Sequence, residues 1–214
     1  MAIKLLLFDL DGTLVDSKRD IANALNHAVC PLGVPKLSDE DTAKIVGDGI
    51  TQLFEQLLGP TTIEIRDSAI AAFSEYYFSH ITEYSRPYPG VLETLKQLTR
   101  FKKAVITNKR EQMSKLIIKN LAIDSYFDLL LGGDSVPEKK PSPIPLQMAM
   151  KSFNVTPHET IMIGDSSNDI IAGISAGVKT VAVAYGFRPI ETMKNANFFI
   201  YKDMQELIPI LESL

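Results

Sequence analysis

The apolar run Leu5-Leu6-Leu7-Phe8 ends directly in Asp9-Leu10-Asp11-Gly12. A run without polar alternation has no face for water, so it is predicted to be a strand buried on both sides, as in a parallel sheet. Two carboxylates at the exit of such a strand need solvent, a cation or a reaction to occupy them. Gly12 tolerates a positive φ, which lets the chain break away just behind Asp11. An acidic turn would also read Asp-x-Asp, so the rest of the chain has to decide between the two.

Three later segments supply complementary chemistry. Lys103-Ala104-Val105-Ile106 ends in Thr107-Asn108-Lys109, a hydroxyl and an amide at a strand exit. Leu129-Leu130-Leu131-Gly132-Gly133 is followed by Lys139-Lys140-Pro141-Ser142-Pro143. Ile161-Met162-Ile163-Gly164 ends in Asp165, and Asp169 follows one helical turn later. Each polar group lies at or just past the carboxyl end of a predicted strand, where open α/β sheets bind ligands. A carboxylate nucleophile, hydroxyl and amide donors, a cation and a second acidic pair are the parts a phosphoryl-transfer site requires.

Between the first strand and Arg86-Pro87-Tyr88-Pro89-Gly90 the pattern is helical throughout. A first helix runs through Ile21, Ala24, Leu25 and Ala28, with Asp16 or Ser17 as its cap and Pro31 and Gly33 as its stop. Ser38 caps a short second helix. Gly47-Asp48-Gly49 then precedes a third through Leu53, Phe54, Leu57 and Leu58, which Gly59-Pro60 ends. The fourth is predicted from about 62 to 84, with Ile70, Phe73, Tyr77, His80 and Tyr84 as one apolar stripe. From residue 86 onward helices (near 90–100, 111–121, 144–153, 167–176 and 203–212) alternate with strands (near 103–107, 128–132, 160–164, 179–184 and 197–200). Such alternation builds a parallel sheet with right-handed crossovers, and here the first strand must be central. The expected fold is α/β: a Rossmann-like parallel sheet core of residues 1–15 and 86–214, with an inserted helical cap of residues 16–85.

Composition excludes several classes. The net charge of −4 over 214 residues argues against a nucleic-acid partner. No apolar stretch approaches the roughly 20 residues needed to span a bilayer, and no basic segment leads into an apolar one at the N-terminus. No membrane partner and a cytoplasmic location are therefore expected. Cys30 is the single cysteine and His27, His80 and His158 are scattered, so neither an internal disulfide nor zinc-type spacing is present.

In this order the four segments resemble the haloacid dehalogenase-like phosphohydrolases, over nearly the whole chain. The resemblance implies a Mg²⁺-dependent phosphate monoester hydrolase acting through an aspartyl-phosphate. Asp9 is then the nucleophile, and Asp11 protonates the leaving oxygen and later deprotonates the attacking water. Thr107 donates to a phosphoryl oxygen, and Lys140 supplies positive charge. Lys140 is preferred to Lys139 because the family pattern is Lys-Pro-x-Pro. Mg²⁺ is expected between the Asp9 side chain, the Asp11 backbone carbonyl and the Asp165 side chain. Asn108 and Asp169 take phosphate-binding or supporting places, Asp169 through water or by orienting Lys140. The carboxyl at Asp11 separates phosphatases from related C–halogen hydrolases, which lack an acid there.

Within the family, Thr107-Asn108-Lys109, Gly132-Gly133-Asp134, Lys139-Lys140-Pro141, Val183-Ala184-Tyr185-Gly186-Phe187 and Val46-Gly47-Asp48-Gly49 look most like phosphoglycolate phosphatases. That likeness implies a small phosphorylated metabolite as partner, 2-phosphoglycolate going to glycolate and phosphate, and a place in carbohydrate metabolism. Monomer and homodimer both stay open. A two-carbon acid needs a cationic or N–H-rich feature beneath the cap, for which Lys18, Arg19 and the Gly47–Gly49 backbone are candidates. Asp11-Gly12-Thr13 and residues 86–90 are the candidate hinges.

Other readings share part of this pattern. A phospho-acceptor signalling domain also combines Asp, Thr, Lys and Mg²⁺, but has no counterpart for the helical insertion and takes up phosphate only once. A phosphosugar mutase shares both core and cap, and the four segments do not separate it from a hydrolase. Another small-molecule phosphatase or a pyrophosphatase fits them as well.

Overall fold

The computed structural model describes residues 2–214. In chain order its strands are β1 (Leu5–Phe8), β2 (Val15–Asp16), β3 (Arg86–Pro87), β4 (Lys102–Ile106), β5 (Leu129–Leu131), β6 (Thr160–Gly164), β7 (Lys179–Val183) and β8 (Phe198–Ile200). Six of them form one parallel sheet in the order β5-β4-β1-β6-β7-β8. Leu5 pairs with Lys102 on one side and Thr160 on the other, and Phe8 with Val105 and Ile163. The strand order reverses at β1, so the polar residues that follow β1, β4 and β6 leave one edge of the sheet side by side.

The unalternating β1 is explained by its two covered faces. Leu6 and Phe8 join an apolar cluster with Ile21, Phe54, Phe73 and Tyr77 of the inserted helices. Leu5 and Leu7 pack on the opposite face with Ala104, Leu146, Ala149 and Met162. Side chains alternate across a strand, so a strand with both faces covered must be apolar at every position.

The inserted helices are α1 (Lys18–Val29), α2 (Asp39–Ile45), α3 (Ile50–Leu58) and α4 (Ile63–Ser79). They form a helical cap, in which α1 packs on α2 and α4, and α3 on α4. Ser38 caps α2 by accepting from the Asp41 N–H, and Gly33 ends the α1 region in the left-handed conformation. The core helices are α5 (Val91–Gln97), α6 (Glu111–Asn120), α7 (Ile144–Phe153), α8 (Ser167–Ser175) and α9 (Leu207–Glu212), close to their predicted places. No helix among the described residues is long and apolar enough to cross a membrane.

Three expectations need correction. The fourth helix stops at Ser79 rather than near Tyr84, so its buried stripe ends at Tyr77. His80 stacks on Tyr76 instead, with ring centroids 4.1 Å apart, and Tyr84 is exposed beneath the Arg19 guanidinium. The cause lies in α1: buried Asp20 accepts the Tyr84 N–H at 3.0 Å, the Ser85 N–H at 2.8 Å and the Ser85 hydroxyl at 2.6 Å. A carboxylate with several good donors outcompetes one more helical turn. Second, neither Asp16 nor Ser17 caps α1 with its side chain. Asp16 pairs with Lys18 at 3.2 Å, and the Ser17 hydroxyl donates to Asp11 at 2.5 Å. Third, the two crossings between sheet and helices are joined by an antiparallel ribbon, Val15 opposite Pro87 and Asp16 opposite Arg86, extended by the Tyr88 N–H donating to the Leu14 carbonyl. Two-residue strands carry too little periodicity to be read from sequence.

Asp20 therefore ties the cap's first helix to its exit. Asp20→Ala should destabilise the protein by about 2–3 kcal/mol in urea unfolding, because it strands buried N–H donors. Amide exchange at Tyr84 and Ser85 should accelerate together. A loss below about 0.5 kcal/mol with unchanged exchange would remove this role.

Candidate active site

The parallel register delivers Asp9 from β1, Thr107 from β4 and Asp165 from β6 to one rim of the sheet. Lys140 reaches them from the loop after β5, its side chain 2% exposed. Its ammonium donates to the Ile106 carbonyl at 2.6 Å and to Asp169 at 2.6 Å, and pairs with Asp9 at 2.9 Å. All three of its N–H donors are thereby used. Lys139 points elsewhere and donates to the Asp48 carbonyl, so the structure brings Lys140 rather than Lys139 to the acidic residues.

Asp169 is fully buried at the first turn of α8. One oxygen takes Lys140, and the other accepts the Ser166 N–H at 3.1 Å and the Ser166 hydroxyl at 2.6 Å in a capping box. It thus orients Lys140 directly. Asp165, 2% exposed, accepts the Thr13 hydroxyl at 3.2 Å and the Phe187 N–H at 2.7 Å. Gly12 has a φ of +86°, and a Cβ there would lie 2.1 Å from an Asp165 oxygen. Only glycine allows this turn and this approach together.

Oxygens of Asp9, Asp165 and Asp169 lie within 4.8 Å of one another. Burial first and then the Asp169 charge raise the Asp9 carboxyl, and with Lys140 offsetting only part of this it stands at about 7. Asp165 is also held well above the ordinary carboxylate range, by burial first and then by Asp9 and Asp169. Burial alone would lower the Lys140 ammonium, but Asp169 and Asp9 outweigh it and leave its pKa raised. Three carboxylates facing one ammonium suit a hard divalent cation with oxygen ligands, and Asp9 and Asp165 have the right donors to hold it.

Asp11 lines the same cavity, but its carboxylate is engaged by Lys109 at 2.8 and 3.0 Å and by the Ser17 hydroxyl. Burial lowers the Lys109 ammonium, yet Asp11 and Tyr77 more than compensate and raise it overall. The Thr107 hydroxyl accepts from the Lys109 N–H at 3.2 Å, which leaves its own hydrogen for the cavity. The Asn108 amide donates at 2.8 Å to both Gly47 and Lys140 carbonyls, so it braces the lysine loop against the cap.

The cap roof is gripped at one loop. Besides Asn108 and Lys139, Asn168 donates to the Asp48 carboxylate at 2.7 Å, and Arg188 donates to the carbonyls of Lys44 and Val46. Gly47 and Gly49 line the cavity as expected, whereas Lys18 and Arg19 do not. Lys18 pairs with Asp16, and Arg19 with Asp39 at 3.1 Å. Lys109, Tyr77, Asn168 and Arg188 are lining residues to which sequence assigned no role. Lys109 could have been found beside Thr107-Asn108. Tyr77 sat in an apolar stripe that reads as core, and nothing local marks Arg188 or Asn168.

The sequence model of a family described as haloacid dehalogenase-like hydrolase matches residues 6–183. A curated protein of Vibrio parahaemolyticus named phosphoglycolate phosphatase is 36% identical over 98% of this chain and 96% of its own. Another of that name from Aquifex aeolicus is 37% identical over 86% of each chain. Among solved structures, a predicted phosphoglycolate phosphatase from Haemophilus somnus superposes with a TM-score of 0.88, at 32% identity and 97% coverage of both chains. A predicted phosphatase from Clostridium acetobutylicum gives 0.89 at 26% identity over the whole of both.

The two adjacent lysines make a sharp test of this geometry. Lys140→Met should lower turnover by about 10²–10³-fold, the scale for removing a preorganised charge donor. Lys139→Met, which loses only a cap contact, should cost less than tenfold. Equal losses in steady-state kinetics would contradict the placement of Lys140.

Proposed function

The chain belongs to the haloacid dehalogenase-like hydrolases and is a phosphatase, and we propose that it hydrolyses 2-phosphoglycolate through an aspartyl-phosphate at Asp9. One observation carries the reading: the Asp9 carboxylate lies at a strand exit, 2.9 Å from buried Lys140 and within 4.8 Å of Asp165 and Asp169 oxygens, in a cavity roofed by the cap.

In this reading an Asp9 oxygen attacks phosphorus as the bond to the leaving oxygen breaks, and Asp11 passes a proton to that oxygen. Water then attacks the acyl phosphate, gives its proton to Asp11, and frees phosphate and Asp9. Splitting the reaction this way replaces one difficult displacement by two easier ones. Lys140 and the Thr107 hydroxyl stabilise charge on the phosphoryl oxygens, and Asp169 keeps Lys140 in place. Asp9 and Asp165, with the Asp11 carbonyl, would hold Mg²⁺, which supplies the positive charge that a dianionic ester and these carboxylates together require.

The cavity measures about 80 Å³. A water needs roughly 10–15 Å³ by such a measure, so there is room for several water-sized groups. That suits a two-carbon phosphate ester. Residues 16–85 act as the cap over the core of 1–15 and 86–214, and their closure keeps bulk water from the first step.

Asp9→Asn should keep the fold and lose turnover by several orders of magnitude, since an amide cannot form the acyl phosphate. Chelation should abolish activity, and added Mg²⁺ should restore it. Near wild-type turnover in Asp9→Asn would defeat the nucleophile assignment. A screen in which pyrophosphate, a nucleotide or a phosphosugar exceeds 2-phosphoglycolate tenfold in kcat/KM would defeat the substrate. Isomerisation of a phosphosugar without free phosphate would indicate a mutase instead.

A further inference from the structure

The core side of the cavity holds the groups assigned to the phosphoryl end, which leaves the cap to meet the rest of the substrate. Among its lining residues only Tyr77 carries a polar side-chain group. Tyr77 is fully buried, and its phenol oxygen has no hydrogen-bond partner among the described residues. Buried hydroxyls are nearly always partnered, and an unpartnered one on a residue that lines a cavity is a candidate donor to a ligand there. The Tyr77 ring stacks on Phe73, with centroids 5.2 Å apart, so the hydroxyl has a fixed position.

Beside it lies the Lys109 ammonium, 4.9 Å from the Tyr77 ring centre. Two of its three N–H donors go to the two oxygens of Asp11, and among the described residues it forms no third hydrogen bond, Tyr77 being its other polar neighbour. Lys140, by contrast, has all three engaged. Arg188 directs one N–H from each terminal nitrogen to the cap carbonyls of Lys44 and Val46, which fixes its guanidinium against the cap loop. A spare ammonium N–H next to a lone phenol O–H is a receptor for an anionic oxygen pair on the leaving group.

We infer that the Tyr77 hydroxyl and the Lys109 ammonium receive the carboxylate of the substrate, making Tyr77 the cap's specificity-determining residue. This rests on the reading of the protein as a phosphatase of a small phosphorylated acid. It also explains how an apolar cap wall selects a charged ester: one donor on the cap meets one spare donor on the core only when the cap lies over the site.

The test compares 2-phosphoglycolate with ethyl phosphate, which has the same two carbons but no carboxylate, in wild type and Tyr77→Phe. Wild type should prefer 2-phosphoglycolate by at least tenfold in kcat/KM. Tyr77→Phe should reduce that preference about tenfold, while the melting temperature of the free enzyme stays level or rises because the lost hydroxyl had no partner. An unchanged preference ratio in Tyr77→Phe overturns the inference and leaves the phosphoglycolate reading standing. A fall in melting temperature with both substrates slowed equally also overturns it, since that marks a structural hydroxyl. A wild type without preference for the carboxylated ester overturns the substrate reading and this inference together.

Discussion

Asp9, Asp165 and Asp169 converge on a buried point where Lys140 offers a single ammonium. Carboxylates this close and this buried resist ionising together, which is why Asp9 is pushed to about 7 and Asp165 well above its usual range. Much of the surrounding structure serves to hold that crowding in place. The β1, β4 and β6 register sets the spacing, the capping box of Ser166 fixes Asp169, and Gly12 lets the chain turn against Asp165. Leaving one buried charge uncompensated typically costs about 3–5 kcal/mol, more than a surface contact could offset. A site with surplus negative charge is also one that suits a cation, and Lys140 supplies part of that positive charge beside Asp9 and Asp169.

The same rim couples chemistry to the cap. Side chains from loops after β4, β5 and β7, together with Asn168 of α8, all hold the stretch from Lys44 to Asp48. Each of these also carries or adjoins a residue at the site: Asn108 follows Thr107, Lys139 precedes Lys140, Asn168 precedes Asp169, and Arg188 follows Phe187, whose N–H donates to Asp165. The cap loop and the acidic site are therefore held by neighbouring residues of the same loops. At the other end, the β2–β3 ribbon pairs the two chain crossings, and the Asp20 clamp ties α1 to the residues that leave the cap.

Much of this was legible in the sequence because it depends on local pattern. An unalternating strand such as Leu5–Phe8 can only be buried on both faces, and the β/α alternation after residue 86 leaves few topologies. Lys140 could be chosen over Lys139 because its Lys-Pro-x-Pro setting matched a family pattern. What escaped depends on contacts distant in sequence. Asp20 ends α4 early from 64 residues away, and Ser17 leaves its capping place for Asp11 because the turn at Gly12 brings them together. Tyr77 reads as one more core aromatic, and only the fold reveals that it lines a cavity and that its hydroxyl is unpartnered among the described residues. Lys18 and Arg19 looked suitable as cations, but the helix turns them toward Asp16 and Asp39 on its outer side.

The central claim is that the phosphoryl group passes through Asp9 in two in-line displacements. The stereochemical course at phosphorus reports this most directly, using a phosphate ester made chiral with sulfur and oxygen isotopes and hydrolysed in labelled water. Each in-line displacement inverts phosphorus, so two give net retention, which is the predicted result. Net inversion would mean that water attacks the ester in one step, and the role assigned to Asp9 would be contradicted.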